Sequence, residues 1–247
     1  MYPIWYINTS FSVLLQFLLF WRGYRTGLWR HYPLFYAYLT YTGLWSLVCS
    51  FPAVTHHPAY AVIYWSSYLT AAFLRFGIMA EVLRHVFPRG SALRDRVNLI
   101  LLVSLALLAL LFWFSDLRPE ASVLLDSARK IALTVAVWDL LVLGQAQYYQ
   151  VPIGRNLWGM ALGLLTFTGT EFVHLAAMDL VPRFRVVLGY VHPLAFVAML
   201  LVWTYALWGY YPNPRPALDD AVGRRFLSAW QDRWAELPHL LRKVVKP

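Results

Sequence analysis

Residues 157–179, LWGMALGLLTFTGTEFVHLAAMD, make an apolar run long enough for one helix to cross a bilayer, yet Glu171 and His174 sit inside it. Their spacing of three puts both on one helix face. Turned toward lipid, either would cost on the order of a few kcal/mol. The rest of the chain must therefore shelter this face, and a bundle of helices is the architecture that does so.

Composition agrees. Hydrophobic residues make up 60% of the 247-residue chain and charged residues 13%, against roughly 45–50% and ~25% in soluble domains. The chain reads as an integral membrane protein, with the lipid bilayer as its first partner. Twelve Trp, 16 Tyr and 15 Phe suit aromatic belts at two interfaces. The net charge of +9 needs no nucleic acid, because basic residues held on the cytoplasmic side produce the same total. A single cysteine, Cys49, rules out an internal disulfide.

Seven apolar stretches reach spanning length, at residues 4–21, 33–54, 60–83, 97–114, 131–148, 157–178 and 186–210. The fifth has a polar start at Asp126, Arg129 and Lys130. Positive charge alternates between loops. Arg22, Arg25 and Arg30 follow the first span, and Arg84, Arg89, Arg94 and Arg96 stand against Asp95 after the third. The second loop, near His56 and His57, has no formal charge, and the fourth balances its cations with anions. This pattern predicts a seven-transmembrane-helix bundle over residues 1–211 with the amino terminus outside and the carboxyl terminus cytoplasmic, in a plasma membrane. Residues 212–247 form a separate tail, opened by Pro212, Pro214 and Pro216. In it Leu218, Val222, Phe226, Trp230, Trp234 and Leu237 recur every three or four residues, as in an amphipathic helix on an anionic leaflet or against a partner.

Depth, counted at ~1.5 Å per residue, suggests which buried polar groups meet. Arg75 lies about 5 Å to the cytoplasmic side of its span's midpoint and Asp139 near the middle of the fifth, so an Arg75–Asp139 ion pair is expected. Such a pair could be static packing or functional. Tyr64 and Tyr68 share the Arg75 face. Glu171, His174 and His192 fall in the outer half of spans six and seven, within about 4 Å of one another in height. They are candidates, with Tyr64, for a small outward-facing polar pocket. His192 precedes Pro193, which frees a carbonyl one turn earlier. Glu81 and Arg84 are one turn apart at the inner end of the third span, as in an interfacial ion pair. Gly159 and Gly163 have the spacing of a close helix approach.

The segments YPLFYAYL at residues 32–39, Tyr64-Trp65 and EVLRHVF at residues 81–87 resemble an uncharacterised group of bacterial seven-helix membrane proteins; the resemblance implies that fold and no activity. The architecture is similar to rhodopsin-like receptors, but the last span has no lysine to hold retinal. Seven-helix zinc hydrolases are a further analogy, and their paired histidines in the last span are absent here, where only His192 stands.

Three functional readings follow. The first is a non-enzymatic sensory or accessory subunit, coupling the pocket to the tail through a signalling partner or within a larger membrane complex. The second is an enzyme or electron carrier holding zinc or haem at Glu171, His174 and His192. The third is a transporter of protons or small solutes through Asp139, Arg75 and Glu171. A plain hydrogen-bond network at a helix crossing is the reading against which all three are weighed.

Overall fold

The computed structural model describes residues 2–49, 51, 60–86, 99, 102–103, 106, 121–148, 152–180 and 185–214. Among these residues the chain is all-helical: α1 (Tyr2–Thr26), the single turn α2 (Leu28–His31), α3 (Pro33–Cys49), α4 (Tyr60–Val86), α5 (Ala121–Tyr148), α6 (Arg155–Leu180) and α7 (Arg185–Ala206). Of the fourth apolar stretch, residues 99, 102, 103 and 106 are described and helical. The amphipathic helix expected in the tail, together with His56 and His57, lies outside the described residues.

One described helix, Arg155–Ala177, is long and apolar enough to cross a membrane, and Tyr190–Ala206 is a shorter apolar helix. The six long helices touch in a closed order, α1 to α3, α3 to α4, α4 to α5, α5 to α6, α6 to α7 and α7 back to α1, with α4 also reaching across to α6.

Local chemistry explains the element ends. Gly27 has φ 72°, the left-handed conformation that glycine adopts freely, and it turns the chain out of α1. Pro33 opens α3, where a missing N–H is no loss. The next two N–H groups, of Leu34 and Phe35, donate to the Glu81 carboxylate of α4 at 3.2 and 3.0 Å. Glu81 is buried, so it caps α3 and balances that helix's positive end instead of pairing at an interface with Arg84, which is exposed. Helix α5 begins ten residues before its apolar stretch, at Ala121, because Asp126, Arg129 and Lys130 are polar without being helix breakers. Helix α7 stops at Ala206, short of residue 210: the Asn156 amide of α6 donates to the carbonyls of Ala206 at 3.0 Å and Gly209 at 2.8 Å.

Trp203 is the centre of the core. It is fully buried, meets Phe35 edge-on at 4.7 Å, and donates its indole N–H to the Met160 carbonyl at 3.1 Å. The two α6 glycines make this packing possible: a Cβ at Gly159 would collide with Ala206, and one at Gly163 with the Trp203 indole.

One end of the bundle, away from Glu171 and His192, is tied by side chains. Arg22 donates to the Trp208 carbonyl at 2.6 Å, His31 stacks on Tyr210 at 4.5 Å, and Asn213 donates to the His85 carbonyl at 3.0 Å while accepting from the Gly154 N–H. Tyr32 is buried against His85, and burial with Tyr210 and Glu81 nearby pushes its phenol well above the ordinary range.

Large apolar side chains face outward as well as filling the core, and several polar ones are buried. Leu14, Phe17, Leu44, Leu140, Val173 and Leu194 point outward, while Ser12, Gln16, Arg75, Asp139, Asn156 and Glu171 are buried. Gly163→Ala is expected to lower stability by about 1–3 kcal/mol through overpacking. Gly169→Ala, with open space around its Cβ position, should hold or raise it. Thermal melting of the detergent-purified variants compares them directly.

Candidate functional site

Five helices bring polar side chains to one cavity of about 240 Å³ in the half of the bundle away from the Arg22–Trp208 end. On α4, Tyr64, Tyr68 and Arg75 share a face, and Ser67 flanks it. Helix α6 adds Phe167 and Glu171, and α7 adds His192 and Phe196. The remaining wall is Tyr38, Tyr41, Thr42 and Trp45 of α3 with Asn8 and Ser12 of α1.

The floor is an ion pair. Arg75 Nη1 lies 2.5 Å from Glu171 Oε2, with Arg75 only 3% and Glu171 only 1% exposed. Glu171 Oε1 lies 3.3 Å from His192 Nε2, so both carboxylate oxygens are engaged. The guanidinium is also held between rings, 5.0 Å from the Phe167 centroid and 5.6 Å from that of Tyr68, where cation–π attraction adds to the pairing. A guanidinium and a carboxylate this deep persist because each neutralises the other.

The expected Arg75–Asp139 pair is thereby corrected. Asp139 is fully buried, but its Oδ2 accepts from the Thr168 hydroxyl of α6 at 3.0 Å. Arg75 turns to Glu171 because α4 packs across the bundle on α6 as well as on α5. Depth along a helix leaves the direction around it open, and here that direction decides the partner.

Of the residues expected to converge, Tyr64, Glu171 and His192 meet at the cavity. His174 is close behind, its ring 5.9 Å from that of His192, but it does not line the cavity. No group of three or more His, Cys, Asp or Glu side chains among the described residues is placed to hold a metal ion. Glu171, the carboxylate that a zinc site here would need, already has both oxygens bonded.

The sequence reading missed the contribution of α1 and α3. The signal was present: Asn8, Ser12 and Gln16 recur every four residues along a mostly apolar helix. Ser12 and Gln16 are buried, and Gln16 donates to the Thr42 hydroxyl of α3 at 3.1 Å.

No protein-family model, curated protein or solved structure matches this chain. The site's chemistry alone therefore carries the functional reading.

The pairing assignment makes a stability prediction. Arg75→Met and Glu171→Gln should each cost about 3–5 kcal/mol by stranding the other partner. The double variant should cost less than the sum, the sign of direct coupling. Asp139→Asn keeps an oxygen for Thr168 and should cost less than either single change. Melting temperatures of the four proteins test the set.

Proposed function

We propose that the chain is a seven-span protein of the bacterial inner membrane, amino terminus outside and carboxyl terminus cytoplasmic. Its outer half holds a small polar pocket, and it acts as a sensory or accessory subunit that binds a ligand without transforming it. The observation that carries the reading is the 240 Å³ polar cavity above a buried ion pair, inside a bundle whose outer faces are apolar. Such an arrangement is what a lipid surround selects.

Two further features support it. Of the described cations, Arg22, Arg25, Arg30, Arg84 and Arg155 belong to the helix ends tied through Trp208, Tyr210 and Asn213, opposite the cavity, as the positive-inside rule expects, while Lys130 and Arg185 stand in the first parts of α5 and α7 toward the other end. Helix α4 also spans the interval between pocket and tail. Arg75 sits at the pocket floor, Glu81 caps α3 less than two turns later, and the His85 carbonyl receives Asn213, at the start of the tail. A ligand that shifts α4 would be felt at the tail, where a cytoplasmic partner would read it.

Cysteine accessibility tests this arrangement. In a Cys49→Ser background, Asn8→Cys and Ser46→Cys should react with a membrane-impermeant maleimide in spheroplasts. Arg25→Cys and Arg84→Cys should react only in inverted vesicles. Labelling of all four from one side would contradict the proposal.

A further inference from the structure

The pocket's charges and unsatisfied donors indicate what kind of ligand it takes. A guanidinium, Arg75, and an imidazole, His192, gather around one carboxylate, Glu171, whose oxygens are both engaged. Among the described residues Glu171 is the one acidic side chain lining the cavity, and it lies beneath its partners at 1% exposure. An entering cation would meet the guanidinium and find no free carboxylate.

The open valences are on the opposite side of the ledger. Among the described residues, Arg75 Nε and the Ser12 hydroxyl are both buried and have no hydrogen-bond partner, although their side chains line the cavity from α4 and α1. Buried donors in native proteins are normally satisfied, and a pair left open around one cavity indicates an acceptor that belongs there. Arg75 has its Nη1 on Glu171 and its Nε without a partner among the described residues, so the guanidinium can still donate to a second acid group. Between the polar groups, the rings of Trp45, Tyr64, Phe167 and Phe196 line part of the wall.

We propose that the pocket binds a small monocarboxylate with a compact ring-sized apolar body, its acid oxygens accepting from Arg75 and Ser12 and its body lying among the aromatic rings. This rests on the pocket reading above and adds the ligand's chemical class. Because the carboxylate shares Arg75 with Glu171, binding bears on the contact that joins α4 to α6.

Benzoate, benzamide and benzylamine are probes of one size and three charges. Calorimetric titration into the full-length detergent-purified protein, in carboxylate-free buffer, should give saturable benzoate binding about tenfold tighter than either of the others, the difference one charge-assisted hydrogen bond supplies. Ser12→Ala removes a hydroxyl with no partner, so it should leave the melting temperature unchanged while weakening benzoate about fivefold or more. Arg75→Lys keeps the charge and loses the fork, and should weaken benzoate further than benzamide.

Benzylamine or benzamide binding as tightly as benzoate, and blocked by a bulky Ser46→Trp at the cavity wall, would overturn the carboxylate class and leave the pocket standing. Benzoate binding unaffected by Ser12→Ala in a protein that melts normally would overturn the assigned contacts. Absence of saturable binding by all three would overturn the pocket as well.

Discussion

A guanidinium and a carboxylate shut away from water can exist only as partners, and the Arg75–Glu171 contact is where the bundle meets that requirement. The pair fixes α4 against α6 across the middle of the ring of helices. His192 on the second carboxylate oxygen brings in α7, and the Tyr68 and Phe167 rings close around the guanidinium. Polar side chains of α1 and α3 then complete the cavity around these charges. The pocket is a consequence of sheltering the pair.

The opposite end is built from different chemistry. There, helix termini are satisfied by side chains from other helices: Glu81 on the start of α3, Asn156 on the end of α7, and Asn213 between α4 and the start of α6. Each bond closes an orphaned backbone group and also fixes where one helix ends relative to another. Trp203 joins the two halves, since it packs between α3 and α6 directly over the glycine that admits it.

How much of this was legible in the sequence depends on whether a feature is local. The apolar runs located the described long helices, because burial periodicity is written along the chain. The convergence of Glu171 and His192 at one height followed from counting residues. The partner of Arg75 did not, because depth leaves azimuth free and Asp139 and Glu171 are both within its vertical reach. Glu81 resembled half of an Arg84 pair, since its real partners, two backbone N–H groups, carry no side-chain signature. The early start of α5 was hidden because hydropathy marks the membrane and not the helix. The early stop of α7 depended on Asn156, fifty residues before it. The polar stripe of α1 was visible at its four-residue spacing and needed only a partner surface to give it meaning.

The central claim is that Arg75 and Glu171 form the buried contact that organises the pocket. Solid-state NMR dipolar recoupling in lipid bilayers measures it without relying on stability or activity. With arginine guanidinium ¹⁵N and glutamate carboxyl ¹³C labels, the account predicts strong dephasing for a separation of about 4 Å, the spacing of a direct ion pair. That signal should vanish in Glu171→Gln and survive Asp139→Asn. Dephasing that appears only with aspartate labels and is lost in Asp139→Asn would contradict the account and return Arg75 to the other carboxylate.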